Sequence, residues 1–237
     1  METVFDAMPA STLDVIGDVR KFPVRRVFCV ARNYAAHARE MGQDPEREPP
    51  FFFTKPADAV FPVAADGSSV WPYPMASEDV HHEFELVVAL GSGGVGLGLE
   101  QARQCVWGYA PGLDMTRRDL QAEAKRAGRP WDVAKAFDGA APVGALTPLS
   151  ACGWLERGAI ELAVDDGPRQ RGDLADMIWS VPEIIAALSR LFELKAGDLV
   201  FTGTPEGVGP VFPGNRLVGH IAGLPPLRLT IGRRTVG

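Results

Sequence analysis

The sequence predicts an α+β fold in which short strands, arranged in curved antiparallel or mixed sheets, outnumber a few helices. Three observations support this class. The 26 glycines and 20 prolines are spread along all 237 residues, which indicates frequent turns. Several segments alternate apolar and polar side chains as strands do. Helical periodicity is confined to short segments, and no internal repeat is present.

The first predicted strand is Arg26–Ala31, so residues 1–24 are expected to form an N-terminal extension and residues 25–237 the main domain. The clearest strand is His82–Leu90, whose alternation places Glu83 and Glu85 on one face. Further strands are predicted over residues 106–110, 159–164 and 198–202. Strands therefore make up most of the predicted elements.

Three helices are predicted, over residues 33–41, from Thr116 to a stop at Gly128, and over residues 182–194. Thr116 and Asp119 are three residues apart, which is the spacing of a capping box at a helix start. Ser180 and Glu183 have the same spacing before the last helix.

Composition excludes several classes of protein. The chain has a formal net charge of −6 and its basic residues form no cluster, so we expect no nucleic-acid partner. The three cysteines are far apart and form no CxxC pair, which indicates reduced thiols inside a cell. Neither a secretory leader nor an apolar stretch of about 20 residues is present, so we expect a cytoplasmic protein without a membrane partner.

Two alternating glutamates suggest a metal site. Burying Glu83 and Glu85 together without compensation would be prohibitively costly, so they either face solvent or share a cation. Oxygen-rich ligation suits Mg²⁺, Mn²⁺ or Ca²⁺ better than zinc. Asp114, at the end of a predicted strand, is a plausible third ligand. A solvated strand face and a helix-capping aspartate explain the same pattern, and spacing alone does not decide between them.

A second group of residues could carry acid–base chemistry. His37 and Glu40 are three apart in a predicted helix, where a carboxylate could orient the imidazole to activate water. A surface His–Glu pair is the alternative. Lys135 lies in a small, apolar run, where its ammonium could stabilise an oxyanion or extend to the surface.

Candidate substrate-binding residues surround these groups. Arg118 and Gln121 are three apart after Asp114 and could bind a substrate carboxylate. Thr204 lies in the stretch 202–209, whose hydroxyls and amides suit an anionic group, although a tight turn is the plainer interpretation. Arg32 is a further candidate for binding a carboxylate.

Several ordered motifs together resemble the fumarylacetoacetate hydrolase superfamily, over most of the chain from about Val27 onward. They are Ala31-Arg32-Asn33-Tyr34-Ala35-Ala36-His37, Phe53-Thr54-Lys55-Pro56, His82-Glu83-Phe84-Glu85-Leu86, Gly108-Tyr109, Leu113-Asp114-Met115-Thr116-Arg117-Arg118-Asp119, residues 131–137 and Gly203-Thr204-Pro205-Glu206-Gly207-Val208-Gly209. Departures at Pro213-Gly214-Asn215 and in residues 93–99 lie outside the predicted site.

The resemblance implies a mixed β-roll, usually assembled as a homodimer or a multiple of dimers. It implies that Glu83, Glu85 and Asp114 ligate Mg²⁺ or Mn²⁺, with Ca²⁺ a possible substitute. It further implies water activation by His37 and Glu40 and oxyanion stabilisation by Lys135. Within the family the chain is most similar to the short acylpyruvate and fumarylpyruvate hydrolases, and it resembles the fumarylpyruvate hydrolases of the gentisate route of aromatic catabolism especially closely.

Three functions remain open at this point. The preferred one is hydrolysis of a C–C bond in a 2,4-diketo acid, fumarylpyruvate giving fumarate and pyruvate. The second is decarboxylation or tautomerisation of oxaloacetate-like acids at the same metal site, which needs no attacking water. The third is a metal-stabilised binding or scaffold protein, against which the presence of both His37 and Glu40 argues.

Overall fold

The computed structural model describes residues 4–6, 9–35 and 48–234. In this part of the chain the strands are Thr12–Val15 (β1), Asp18–Pro23 (β2), Arg26–Ala31 (β3), Phe51–Lys55 (β4), Val60–Pro62 (β5), Val70–Tyr73 (β6), Val80–His82 (β7), Phe84–Leu90 (β8), Val106–Leu113 (β9), Thr116–Arg117 (β10), Ala141–Val143 (β11), Thr147–Pro148 (β12), Ala159–Val164 (β13), Gly167–Asp173 (β14), Asp198–Phe201 (β15), Gly209–Val211 (β16), Arg216–Ile221 (β17) and Leu227–Arg234 (β18).

The α-helices of the same residues are Leu99–Gln104 (α1), Arg118–Ala127 (α2), Asp132–Lys135 (α3), Leu149–Cys152 (α4) and Val181–Leu191 (α5). Single turns of 3₁₀-helix occur at Ala57–Ala59 and Leu174–Asp176. No helix in the described ranges has the length and apolarity needed to cross a bilayer.

The largest sheet has the order β4-β3-β15-β8-β9-β11-β5, with β12 paired to β9. Its β3–β15 and β5–β11 pairs are parallel and the others antiparallel. A second sheet has the order β14-β13-β17-β18-β6, and a third joins β10, β7 and β16. The predicted α+β class with mixed sheets is therefore confirmed.

Strand β8 lies at the centre of the largest sheet and separates two parts of the core. Phe84, Leu86 and the other even-numbered residues belong to the larger hydrophobic cluster. Val87 and Ala89, on the opposite face, belong to a smaller cluster. The predicted alternation is confirmed, but both faces are buried, so the glutamates that share the Val87 face do not point to solvent.

The residues of the predicted extension include the β1–β2 hairpin, which covers the smaller cluster. Leu13, Phe22 and Val24 are buried there, and Ile16 donates its backbone N–H to Leu146 at 2.8 Å. The hairpin thus shields the part of the core that lies on the glutamate-bearing face of β8. The division of the chain at residue 24 stays a prediction.

The start of α2 differs from the prediction. Thr116 and Arg117 form β10, which pairs with β7, and the helix begins at Arg118. The Thr116 hydroxyl donates to Asp114 O at 3.1 Å instead of capping the helix, and Asp119 accepts from Ser77 and Glu78. The pairing of β10 with β7 and the contacts of Asp119 with Ser77 and Glu78 outweigh the local capping pattern here.

The last helix begins as predicted but ends earlier. Ser180 donates to Glu183 Oε2 from its backbone at 2.9 Å and from its hydroxyl at 2.8 Å, as in a capping box. The helix ends at Leu191, because Leu194 donates its backbone N–H to Gly94 at 3.0 Å and leaves the helical path.

Gly219 on β17 supports β8 across the core. A Cβ at this position would lie 2.3 Å from Cε2 of the fully buried Phe84 ring. We expect Gly219→Ala to lower the free energy of unfolding by about 1–3 kcal/mol, since the ring must shift inside a packed core. Thermal and urea denaturation would measure the loss.

The control is Gly167→Ala, because a Cβ there meets its nearest neighbour at an ordinary 3.4 Å. Equal stability of Gly219→Ala and the parent chain would show that the contact between β17 and β8 does not constrain the core.

Candidate metal centre and active site

Strand pairing brings three acidic side chains to one point. Glu83 joins β7 to β8, Glu85 lies on β8, and Asp114 directly follows β9. The backbone N–H of Asp114 donates to Glu83 O at 2.8 Å, which places the two residues opposite one another. One carboxylate oxygen from each of the three residues lies within 4.8 Å of the other two. Because they are only 7%, 2% and 1% exposed, the solvated-face interpretation of the two glutamates is wrong.

Basic side chains contact two of these carboxylates. Lys135 Nζ donates to Glu83 Oε2 at 2.8 Å and to Asp114 Oδ2 at 2.7 Å. Lys55 Nζ lies 2.7 Å from Asp114 Oδ1, and Arg118 Nη2 donates to Glu83 Oε1 at 2.6 Å. Basic side chains therefore compensate the burial of Glu83 and Asp114 inside the protein.

Glu85 has a different electrostatic environment. Its Oε2 accepts a hydrogen bond from the backbone N–H of Gly203 at 2.6 Å. Burial, followed by the negative charges of Asp114 and Glu83, raises the pKa of the Glu85 carboxyl well above its usual range. A positive charge placed among the three carboxylates would favour ionised Glu85.

The geometry fits a hard divalent cation. Oxygen ligands bind Mg²⁺ or Ca²⁺ at roughly 2.0–2.6 Å, so oxygens about a central ion are separated by at most about 5 Å. The spacing of up to 4.8 Å among the three carboxylates meets this condition. The all-oxygen donor set, two glutamates and an aspartate, also matches the preference of such ions.

Lys135 is fixed beside this cluster. Its third hydrogen bond goes to the Thr116 hydroxyl at 2.7 Å, so the three N–H groups of its ammonium have three acceptors. Burial lowers the pKa of Lys135, but the carboxylates of Asp114 and Glu83 outweigh burial and raise it overall. Lys135 is buried and does not extend to the surface.

One cavity is bordered by every predicted site residue that lies in the described ranges. These residues are Arg32, Glu83, Glu85, Asp114, Arg118, Gln121, Lys135 and Thr204. His37 and Glu40 lie outside the described residues. Sequence reasoning missed Phe53, Lys125 and Trp131, which line the same cavity. Lys125 could have been found, because it follows Arg118 and Gln121 by seven and four residues on one helix face.

Arg32 has an unusual backbone conformation at the cavity wall. Its φ of 61° lies in the left-handed region, which non-glycine residues rarely occupy. The next residue, Asn33, holds it there. The Asn33 amide donates to Trp179 O at 2.9 Å and to Thr202 O at 2.8 Å, and Asn33 Oδ1 accepts from Trp179 N at 2.7 Å. Asn33 thus joins two loops, while the helix predicted after it falls largely outside the described residues.

Gly203 completes the same wall. Its φ is +94°, and a Cβ there would lie 2.7 Å from the Cβ of Asn33. A glycine therefore lets the loop after β15 approach Asn33 closely enough for the Gly203 N–H to reach Glu85.

Arg118 and Gln121 contact each other as their spacing predicts, with Arg118 Nη1 donating to Gln121 Oε1 at 2.6 Å. Arg118 also contacts Glu83, so its guanidinium orients a predicted metal ligand in addition to bordering the cavity. A role of these two residues in substrate binding stays a prediction.

Gln170 is a buried residue whose side chain connects three segments of the chain by hydrogen bonds, and the sequence did not reveal this role. Its Oε1 accepts from Phe84 N at 3.0 Å, and its Nε2 donates to Thr204 Oγ1 at 2.7 Å. The His82 Nδ1 lies 2.9 Å from the same Oε1, and burial lowers the pKa of His82 to about 4. Neutral His82 and Thr204 thus help to hold the first residue of the glutamate-bearing strand, Phe84, in place.

The chain is similar in sequence and in structure to known proteins. The family model for the fumarylacetoacetate (FAA) hydrolase C-terminal domain matches residues 26–232. The crystal structure of fumarylpyruvate hydrolase from Pseudomonas aeruginosa, in complex with Mn²⁺ and pyruvate, is 55% identical with a TM-score of 0.96. The match covers 98% of this chain and 100% of that chain.

Two curated relatives carry different activities. Fumarylpyruvate hydrolase of Ralstonia sp is 40% identical, over 80% of this chain and 96% of the relative. Oxaloacetate tautomerase YcgM of Escherichia coli is also 40% identical, over 85% of this chain and 90% of the relative. The prediction of an enzyme is confirmed, and the chain belongs to the fumarylacetoacetate hydrolase family.

Proposed function

We propose that this protein hydrolyses a C–C bond of a 2,4-diketo acid, with fumarylpyruvate giving fumarate and pyruvate. The observation that carries the proposal is the convergence of Glu83, Glu85 and Asp114 beside Lys135. A relative that is 55% identical over nearly the whole chain is described as a fumarylpyruvate hydrolase in complex with Mn²⁺ and pyruvate.

The three carboxylates would hold Mg²⁺ or Mn²⁺, with Ca²⁺ a possible substitute. When bound, the cation supplies a Lewis acid for the carboxylate and adjacent keto oxygen of the pyruvate half. The Gly203 N–H keeps Glu85 directed into this site, and Arg118 does the same for Glu83.

Protein side chains would carry out the proton transfer and stabilise the negative charge that develops. His37, oriented by Glu40, would take a proton from water as the water oxygen bonds to the distal keto carbon. The Lys135 ammonium would donate to the oxygen that gains negative charge there. The bond between that carbon and the methylene then breaks, which leaves the acyl half as a carboxylic acid. The electron pair stays on the methylene carbon as the enolate of pyruvate, and a proton added there completes the reaction.

A second candidate is tautomerisation or decarboxylation of oxaloacetate at the same centre. Relatives named oxaloacetate tautomerase or decarboxylase are 38–40% identical to this chain, as similar as the curated fumarylpyruvate hydrolase. These reactions pass through an enol or enolate of a keto acid but consume no water at a carbonyl carbon. The role of His37 therefore separates the two candidates.

The location, pathway, assembly and domain bounds of the enzyme are also part of the proposal. We place the enzyme in the cytoplasm, in aromatic catabolism of the gentisate type, as a homodimer or a multiple of dimers. The proposed catalytic domain is residues 25–237 after an extension of 24 residues, and the family match over residues 26–232 agrees with this division.

Glu85→Gln tests the metal centre. The substituted amide oxygen can still accept from Gly203, but one of three adjacent buried carboxylates loses its charge. We expect Mn²⁺ affinity to fall by about 10-fold or more. The metal-free variant should melt at or above the temperature of the metal-free parent, because the amide carries no charge for burial and the neighbouring carboxylates to disfavour. Calorimetric titration and melting curves measure both effects.

Glu100→Gln on α1 is the matched control, since Glu100 is exposed. Chelation should abolish turnover by the parent chain, and Mn²⁺ should restore it. Unchanged Mn²⁺ affinity in Glu85→Gln would show that the three carboxylates do not form the metal site.

His37→Ala separates hydrolysis from the alternative. We expect the rate of fumarylpyruvate cleavage to fall by about 10²–10⁴-fold, which is the usual contribution of a general base. Decarboxylation of oxaloacetate, which needs no water activation, should remain. Loss of the enol absorbance of the diketo acid and release of CO₂ would report the two activities.

The control variant is His220→Ala, because His220 is exposed on β17. If the parent chain interconverts the tautomers of oxaloacetate and cleaves no acylpyruvate, the second candidate replaces the first. Full hydrolysis by His37→Ala would remove His37 from the mechanism.

A further inference from the structure

Among the described residues, two of the four basic side chains that line the cavity differ from the other two in their contacts with acidic groups. Arg118 and Lys135 contact the carboxylates of the metal centre. In the described part of the chain, Arg32 and Lys125 also line the cavity but form no ion pair with an acidic side chain. Burial, followed by the charges of Arg118 and Arg32, lowers the pKa of Lys125, so the Arg32 and Lys125 charges are close enough to interact.

The cavity therefore holds excess positive charge. Four basic side chains and three carboxylates line it in the described ranges. A divalent cation on the carboxylates would bring the formal charge of this lining to about +3. A keto acid with a single carboxylate would neutralise only part of that charge. A substrate with a second carboxylate would neutralise more, and the enolate formed during cleavage would add a third negative charge.

The wall between the metal centre and Lys125 is aromatic. Lys125 Nζ lies 5.0 Å from the centre of the Trp131 ring, and Lys135 Nζ lies 5.1 Å from that of Phe53. The Phe53 and Trp131 rings are 6.2 Å apart. Flat aromatic faces suit a planar, conjugated acyl arm better than a bulky saturated one.

We propose that Arg32 and Lys125 bind the distal carboxylate of the acyl arm, with Phe53 and Trp131 packing against the arm itself. This assignment rests on the proposed hydrolysis and names its substrate class, a dicarboxylic acylpyruvate with an extended, unsaturated acyl arm. Lys125 and Arg32 determine specificity, because they contact the end of the substrate that does not react with water.

The same arrangement disfavours oxaloacetate. Both carboxylates of that four-carbon acid lie within two carbons of its keto group, so a molecule held at the metal centre extends only a short way along the aromatic wall. A longer dicarboxylate uses both ends of the cavity. Binding energy from the distal end would then contribute to specificity for the longer acid.

Lys125→Met tests the subsite, because it removes the charge and keeps much of the side-chain length. The substrates are fumarylpyruvate and acetylpyruvate, whose acyl arm is an uncharged methyl group. We expect kcat/KM for fumarylpyruvate to fall about 5- to 10-fold, through KM, since a partly exposed ion pair contributes about 1 kcal/mol. The value for acetylpyruvate should change less than about 2-fold, since the pair is absent.

Arg126→Met is the control, since Arg126 is the exposed neighbour of Lys125 on α2 and does not line the cavity. Binding of fumarate to the Mn²⁺-loaded protein, measured by calorimetry, gives a readout independent of turnover. Lys125→Met should weaken it by about the same 5- to 10-fold, and Arg126→Met should not.

The outcomes separate the two proposals. An equal loss of kcat/KM for both substrates in Lys125→Met would overturn the subsite and leave the hydrolase standing. If the parent chain cleaves neither substrate, the proposed hydrolysis fails, and fumarate binding alone decides the subsite. Unchanged or undetectable fumarate binding would then overturn it, and weaker binding by Lys125→Met would support it.

Discussion

The burial of three carboxylates at one point is the constraint on which the rest of this structure depends. Glu83, Glu85 and Asp114 are nearly inaccessible, and unpaired buried charges are strongly destabilising. Lys135 and Lys55 offset part of that cost, and Thr116 supplies the last acceptor that Lys135 needs. Burial and the neighbouring carboxylates raise the pKa of Glu85, so this is the position where a cation would be most stabilising.

The surrounding fold fixes the positions of these carboxylates relative to one another. The antiparallel pairing of β8 with β9 fixes Glu83 opposite Asp114, and the packing of Phe84 against Gly219 anchors the strand from the other face. The loop after β15 closes the site, because Gly203 has no side chain to collide with Asn33. A change in any of these backbone contacts would move a carboxylate, although none of them is itself a chemical group of the site.

The sequence revealed the parts of the site that follow from local pattern. Strand alternation placed Glu83 and Glu85 on one face, and helical spacing paired Arg118 with Gln121. It could not reveal that both faces of β8 are buried, since that depends on strands distant in the chain. Nor could it reveal Gln170, which lies 86 residues after Phe84, or that Thr116 pairs with His81 and accepts a hydrogen bond from Lys135 instead of capping a helix. Contacts between residues distant in the chain outweighed local preference at these positions.

One centre of this kind can support several reactions of keto acids, because stabilising an enolate is common to hydrolysis, decarboxylation and tautomerisation. The carboxylates and Lys135 therefore do not by themselves choose the reaction. The choice depends on whether a base delivers water to the distal carbonyl and on which acids the cavity selects. In our proposal, His37 and Glu40 supply the first function, and Lys125 with Arg32 supplies the second. Differences in activity among relatives of similar identity are then expected to arise around the centre rather than in it.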